Sequence, residues 1–480
     1  MASTDNRIMT SHALPFRPRV GLLALTLELY EELAPDLRAG REQWVRRCVL
    51  PALADAADVQ FEGAVYRTED IRSQVARFEA EGVDALLILC LTYSPSQVAL
   101  PALVRTKLPI VIWNTQELAA VDEAFDTARM IDNHGVHGTQ DLANVLLRAG
   151  VQFEYVTSLV DDAEAIVALG DFFAAAAAVA ALRSVRVGLL GYAFPGMGDF
   201  AADTTHLAAT LGCQWRLLAL EDYLRRAAAC EEGQVRAVVE EYRRLYDLAS
   251  DLTPEDLDVT ARAELALRAM VAEERLAAFS YQFMAFGQDE RSQTLPFVAA
   301  SRLMAEGVGF AGEGDVVGAI GTWLLDRLQC PATFSEIFTI DFAGQALLMS
   351  HMGEANVAMT RRDRRVRLVA RRQPITPTRG RQLALVQGIE PGPATLCALS
   401  QGPGQRWRLI ASRVAVEDYG PLEGMEVPHF KVRPGGGDVR AWLTAYGKLG
   451  GPHHHALCFG DATARIRAAA GLLDADYCEI

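Results

Sequence analysis

Three short, uniformly apolar runs at residues 20–25 (VGLLAL), 85–90 (ALLILC) and 110–113 (IVIW) limit the fold most strongly. A strand buried on both faces reads apolar throughout, whereas a strand with one wet face alternates. Between the runs lie stretches of helical character, to about residue 56 and over 70–81 and 97–105, with a further short strand at 59–61. Strands alternating with helices at this spacing predict a parallel, doubly wound sheet. Ligands of such sheets bind at the carboxyl ends of the strands. Three polar clusters fall there: Thr26 to Tyr30, Thr92-Tyr93-Ser94-Pro95 and Asn114-Thr115-Gln116.

A second α/β unit starts near Arg183. Its expected strands are 185–190, 278–281 and 308–311, with mostly helical sequence over 221–277 and a helix after Asp315. The loop after its first strand runs Gly191-Tyr192-Ala193-Phe194-Pro195-Gly196-Met197-Gly198-Asp199. Near Cys330 the pattern changes to short alternating segments at 365–370, 382–387, 394–399 and 407–415, separated by Gly/Pro turns. That pattern is antiparallel β. The expected fold is thus α/β: two doubly wound parallel-sheet domains (1–182 and 183–329) followed by an antiparallel, β-barrel-like domain (330–480).

The charge balance narrows the partners. With 61 acidic against 46 basic residues, the net charge is −15. That disfavours nucleic acid, whose phosphates need clustered Lys and Arg. One basic run, Arg361-Arg362-Asp363-Arg364-Arg365 with Arg371-Arg372 beyond it, reads as a solvated strand edge or loop, or as an anion or subunit contact. No stretch offers about 18 uninterrupted apolar residues, so no membrane partner is expected. Residues 1–19 lack the apolar core of a secretory leader. The eight cysteines are dispersed without a C-x-x-C pair, which suits reduced thiols in a cytoplasm.

Four segments place metal-type ligands beside glycine, aromatic or small residues. They are Gly309-Phe310-Ala311-Gly312-Glu313-Gly314-Asp315, Phe334-Ser335-Glu336, Ser350-His351-Met352 and Gly450-Gly451-Pro452-His453-His454-His455. Singly, each has a plain reading: a turn glutamate, an edge-strand carboxylate, a core histidine, a solvated loop. Together, two carboxylates and two imidazoles make a site for a divalent cation. Gly312 and Gly314 lack Cβ atoms, so a substrate or ion could approach Glu313 closely. Glu354, three residues after His351, could orient that ring. Gly307-Val308-Gly309-Phe310-Ala311-Gly312 formally matches G-x-G-x-x-G. The dinucleotide fingerprint needs a strand before it and a helix after it. Here a helix precedes, and Glu313 would stand where a pyrophosphate should lie.

The segments from Arg302 to Asp315, Ser350-His351-Met352 with Glu354, and Gly450-Gly451-Pro452-His453-His454 resemble L-arabinose isomerase, a family grouped with L-fucose isomerase. Thr92, Ser94-Pro95, Thr115-Gln116 and His137-Gly138 fit collinearly. The resemblance implies an Mn²⁺ site (another divalent cation being possible) on Glu313, Glu336, His351 and His454, with His453 or His455 open as alternatives to His454. It implies that Glu313 and Glu336 are also the acid and base; which is which stays open, with Glu313 at carbon and Glu336 serving oxygen as the preferred assignment. It places Tyr30, Thr92, Gln116, His137 and Met197 at the substrate. It further implies a homo-oligomer, a hexamer, with active sites between subunits and His137 supplied by a neighbour.

The residue types suit aldose–ketose isomerisation, in which a proton moves between C1 and C2 through an enediolate. A cation on both oxygens would stabilise that charge, and two carboxylates could carry the protons. The chain departs from the family after its first strand. The family's Ser-Gln-His-Leu-Tyr-Gly stands here as Thr26-Leu27-Glu28-Leu29-Tyr30-Glu31, and its His-Thr-Gln as Asn114-Thr115-Gln116. A site built around a hydroxyl discriminates through its hydrogen-bond pairs, so the sugar is left open among pentoses, deoxyhexoses and hexoses. Two further readings stand beside the isomerase: a sugar-binding relative without turnover, and a dinucleotide-dependent oxidoreductase.

Overall fold

The computed structural model describes residues 16–480. Most of the polar start, residues 1–15, on which the absence of a leader was read, lies outside the described residues. The chain divides into two compact units, residues 16–180 and 181–480.

In the first unit β1 (Arg19–Leu25), β2 (Asp58–Gln60), β3 (Ala64–Val65), β4 (Ala85–Cys90), β5 (Ile110–Asn114) and β6 (Glu154–Thr157) form one parallel sheet. The order is β2-β1-β4-β5-β6, with β3 also on β1. The apolar runs are its central strands. Leu23, Leu86, Ile88 and Ile112 pack against Ile71, Val75 and Phe78 of helix Thr68–Glu81 and against Leu142 and Leu146 of helix Val136–Arg148. Helix Thr68–Glu81 stops at Gly82, whose φ of 69° is the left-handed state a side chain resists. The strand order reverses between β1 and β4, and their carboxyl ends carry Thr26 and Thr92.

In the second unit β7 (Arg186–Leu190), β8 (Gln214–Leu218), β9 (Asp247–Leu248), β10 (Ala278–Tyr281) and β11 (Gly309–Ala311) come first. All but β9 form a second parallel sheet, in the order β11-β10-β7-β8. They are followed by β12 (Ala332–Asp341), β13 (Ala346–Ser350), β14 (Arg367–Ala370), β15 (Leu383–Val386), β16 (Gly392–Gln401), β17 (Trp407–Val416), β18 (His429–Pro434), β19 (His454–Phe459) and β20 (Asp476–Glu479). Antiparallel pairing runs β16-β19-β12-β13-β18-β17 and returns to β16, closing a six-stranded barrel. Closure removes the free edges that an open sheet would expose. The fold class read from the sequence is therefore the observed one. Strands β9, β14 and β15 form a small separate sheet.

Leu347, Met349, Leu396, Ile410, Phe430, Val432 and Leu457 fill the barrel core, with Trp442 and Tyr446 of helix Val439–Lys448 packed on it. Helix Val316–Leu328 is buried along almost its whole length. It packs on β10 and β11 on one side and on β12, β16 and β19 on the other, so it joins the parallel sheet to the barrel.

Most of the basic run is a solvated loop: Arg362 to Arg365 are exposed, and so is Arg372. Arg361 is buried and paired with Asp363 and Asp418, while Arg371 donates to the Met352 carbonyl. Among the described residues one helix, Ala163–Leu182, is long and apolar enough to cross a membrane, and its centre, from Phe173 to Ala178, is buried within the protein.

Candidate active site

The site forms where the second parallel sheet meets the barrel. Glu313 follows β11 on a tight turn, and its φ of 62° is unusual for a residue with a side chain. The turn is held by the Glu313 carbonyl, which accepts from Phe194 N at 2.9 Å and from Gln282 Nε2 at 3.3 Å. Glu336 lies mid-barrel in β12, opposite Ser350 of β13 on one side and His454 of β19 on the other. Their neighbours Ile337, Met349 and Leu457 point into the barrel core. Strand alternation therefore turns Glu336 and His454 outward together. His351 comes directly after β13.

Ligand atoms of Glu313, Glu336, His453 and His454 all lie within 4.8 Å of one another. His351 Nε2 is 3.1 Å from Glu336 Oε1, and His454 Nε2 is 3.2 Å from the same oxygen. The four residues that the resemblance placed on a cation are thus neighbours, with His453 as a fifth. His455, one residue on, faces the other way. Its Nδ1 is 3.0 Å from the His453 carbonyl and its ring stacks on Tyr446.

Each of the three inward-facing imidazoles is held from behind by a carboxylate outside the cluster. His351 Nδ1 meets Glu354 Oε2 at 2.6 Å, His454 Nδ1 meets Asp315 Oδ2 at 2.8 Å, and His453 Nδ1 meets Asp199 Oδ2 at 2.6 Å. Such pairs orient metal-binding histidines and leave Nε2 free to ligate. Asp315 also caps helix Val316–Leu328 by accepting from Gly318 N at 2.7 Å, so one side chain anchors both helix and ring. Tyr281, at the end of β10, donates to Glu354 and extends that support into the parallel sheet.

The electrostatics are those of a cation site. Burial alone would raise Glu336, but the His351 and His454 imidazoles outweigh it and hold the carboxyl well below its usual range. Burial alone would lower His351, but Glu354 and Glu336 pull it up to about 10. His453 rises to about 10 against its own burial, through Asp199 and Glu313. His454 is raised in the same sense by Asp315 and Glu336. The negative field that favours protons on these rings also favours a divalent ion. Glu313 Oε2 and His453 Nε2 are buried without a hydrogen-bond partner, so the site has polar atoms left over for a further group. The residues therefore fit a divalent metal.

The glycines beside Glu313 have a different use from the one the sequence suggested. A Cβ on Gly312 would lie 2.5 Å from His351 Cε1, and one on Gly314 would lie 2.4 Å from the Tyr192 carbonyl oxygen. The space they leave is taken by the protein itself, by the ring of His351 and the backbone of the Tyr192 loop. The G-x-G-x-x-G match begins where helix Phe297–Ala305 ends and continues into β11, the reverse of a dinucleotide-binding turn.

The family model for the L-arabinose isomerase central domain matches residues 200–324, and that for the L-arabinose isomerase C-terminal domain matches residues 331–476. The L-arabinose isomerase of Arthrobacter sp. is 30% identical over 389 residues, 76% of this chain and 73% of that protein. That of Acidothermus cellulolyticus is 29% identical over 392 residues, covering 78% and 76%. That of Geobacillus kaustophilus is 26% identical over 458 residues, covering 92% and 88%. The chain belongs to the L-arabinose isomerase family. Its class is therefore that of an aldose–ketose isomerase, an intramolecular oxidoreductase.

Both matched domains of this L-arabinose isomerase relative lie in the second unit, together with Glu313, Glu336, His351 and His454. Met197 is also there, 38% exposed on the loop that carries Asp199, beside the packed rings of Phe194 and Phe283. The other residues expected at the substrate belong to the first unit. Tyr30 lies in the short helix Leu29–Leu33 after β1, and Thr92 is buried with its hydroxyl on the Tyr93 carbonyl. Gln116 donates to the Leu118 carbonyl at 2.6 Å. His137 is exposed, with Nδ1 2.7 Å from His134 Nε2. Glu28, where the family has histidine, pairs with Arg67 at 2.8 Å.

Sequence reading gave no role to Asp199, Asp315, Tyr281 or His134. Asp315 had a local signal, an aspartate opening a helix, which marks a capping residue. Asp199 had none, because its partner His453 is 254 residues away.

Proposed function

We propose that this chain is a divalent-cation-dependent aldose–ketose isomerase that works through a cis-enediol(ate), with Mn²⁺ as the natural cation. One observation carries the reading: two carboxylates and three imidazoles converge, and every imidazole is braced from behind by its own carboxylate. Glu313, Glu336, His351 and His454 would hold the ion. When bound, it would draw electron density from the sugar's carbonyl and hydroxyl oxygens and so acidify the adjacent C–H.

The protein's own groups move the protons. Glu313 removes hydrogen from C2 as a proton and returns it to C1. Its Oε2 accepts no full hydrogen bond at rest, which supports that role, since a base at carbon must keep a lone pair open to receive. Glu336 exchanges the hydroxyl proton between O2 and O1. Flanked by two imidazoles it stays ionised at rest, so a proton taken up there is readily given back. The bracing carboxylates keep the rings fixed, which lowers the reorganisation needed as charge develops.

L-arabinose, which the relatives' names carry, is the first substrate to try, with other pentoses and deoxyhexoses beside it. Leu27 and Glu28 stand where the family has a hydrogen-bonding pair, which supports a changed distal end of the sugar. Tyr30, Thr92, Gln116, His137 and Met197 would read that end in a homo-oligomer, a hexamer on the family pattern, whose sites lie between subunits. All eight cysteines are free thiols, which supports a cytoplasmic setting. The test is an aldose panel with and without Mn²⁺, scored for ketose and for exchange of the C2 hydrogen with deuterated water. Mn²⁺-dependent ketose formation is expected. Absence of both ketose and exchange across the panel would leave only a binding protein of this fold.

A further inference from the structure

The two glutamates are not held alike. Glu336 is gripped by His351 and His454, whereas Glu313 Oε2 is buried without a hydrogen-bond partner. Glu313 also sits on a left-handed turn, so its carboxylate depends on neighbouring side chains to be held. The nearest group able to steady Oε2 is His453 Nε2, at 3.5 Å, which is likewise buried and unpartnered.

His453 is itself strongly placed. Asp199 Oδ2 takes both its ring Nδ1 at 2.6 Å and its backbone N–H at 3.1 Å. The ring centroid is 4.0 Å from that of His454 and 5.7 Å from that of Phe200, which limits its rotation. On its other side His453 borders an open cavity of about 630 Å³, also lined by Asp199, Phe338, Tyr446 and His455. The imidazole thus stands between that cavity and Glu313.

We propose that Asp199 and His453 form a positioning pair for Glu313, in which Asp199 fixes the ring and His453 Nε2 holds Glu313 Oε2 in the orientation needed at the substrate carbon. The inference rests on the isomerase reading above. At 3.5 Å the contact is longer than a good hydrogen bond, and contacts of this kind commonly tighten only when substrate is bound. His453 is then a positioning residue beside the ion, and the cation keeps the ligand set Glu313, Glu336, His351 and His454.

The test compares wild type with His453→Ala, His453→Gln, Asp199→Asn and the Ala/Asn double variant. It reads kcat and KM for ketose formation, Mn²⁺ affinity by calorimetry, and thermal unfolding. His453→Ala is expected to lower kcat by roughly 10²-fold, the scale of an acid–base contribution, with KM and Mn²⁺ affinity changed by about threefold or less. His453→Gln should recover part of the loss, because its amide can still donate to Oε2. The double variant should be no worse than His453→Ala alone, since groups acting as a unit are not additive.

A Mn²⁺ affinity lowered about tenfold or more in His453→Gln, the loss typical of disturbing a metal's surroundings, would make His453 a ligand and overturn the proposal. An unchanged kcat in His453→Ala, or strictly additive losses, would overturn it as well. Should His453→Ala fail to fold, His453→Gln and Asp199→Asn carry the same comparison. A wild type that binds Mn²⁺ but turns over no aldose would sink the isomerase reading and this inference with it. An active wild type with unaffected variants sinks this inference alone.

Discussion

The histidines of the second unit's site and the residues expected at the sugar in the first unit are held in different ways. In the second unit each inward-facing imidazole of the site has a carboxylate behind it. Tyr281 and the cap of helix Val316–Leu328 tie two of those carboxylates to the scaffold. In the first unit the residues expected at the sugar lack such braces. His137 is exposed against His134, Gln116 donates to a carbonyl two residues away, and the hydroxyls of Thr26, Ser94 and Thr115 are buried without partners. A braced constellation suits proton transfer, which punishes small displacements. An unbraced set of polar groups suits recognition, where substitutions can change the substrate without dismantling the chemistry. The departures Leu27 and Glu28 both fall in the first unit.

Substitutions can break this contrast, beginning with the largest effect. Glu313→Gln and Glu336→Gln should each lower kcat by about 10³-fold or more while the fold survives, read by ketose formation and circular dichroism. Activity retained in either would remove that glutamate from the chemistry.

Acid sensitivity should also belong to the second unit. Burial lowers His455 to about 4 in the folded chain, against about 6.5 in an unfolded one. The unfolded state then binds the extra proton first. Stability from this group is therefore complete above about pH 6.5 and falls as the pH drops towards 4, by up to about 3 kcal/mol. His455→Gln should flatten that slope in denaturant titrations at pH 7 and pH 5, and an unchanged slope would assign acid sensitivity elsewhere.

Next in size are the braces. Asp315→Asn and Glu354→Gln should weaken Mn²⁺ binding by about 10–100-fold in calorimetry. Equal loss from His137→Ala would erase the distinction between the units. Smallest are the recognition residues. Tyr30→Phe, Gln116→Ala and His137→Ala should raise KM by about tenfold for the best sugar and leave Mn²⁺ affinity unchanged. A fall in kcat without a change in KM would place them in the chemistry instead.

What could be read from the sequence follows from what is local. The runs at 20–25, 85–90 and 110–113 are apolar because both faces of their strands are covered, and all three are strands. The change of pattern near Cys330 marks where the parallel sheet gives way to β12 and the barrel. A barrel-like domain was expected from that pattern, but the strand order that closes it was not legible, because β16 pairs with both β17 and β19 and turn residues do not encode the second pairing. The site divides along the same line. Glu313, Glu336, His351 and His454 stood out by residue type and by resemblance, and they are neighbours. Their bracing partners depended on register: Glu336 meets His454 only because β12 and β19 align residue for residue over 332–336. The histidine triplet looked interchangeable on paper. Strand alternation in β19 turns His454 to the cluster and His455 away from it, while His453, just before the strand, is brought to the cluster by Asp199.

The left-handed backbone at Glu313 bears on how such an enzyme could be altered in the laboratory. Glycine would sit there with less strain, so Glu313→Gly should gain about 1 kcal/mol of thermal resistance as it destroys turnover. A library of this chain screened only for heat tolerance would tend to discard that carboxylate early. Any campaign to toughen the protein must therefore score sugar conversion in every round.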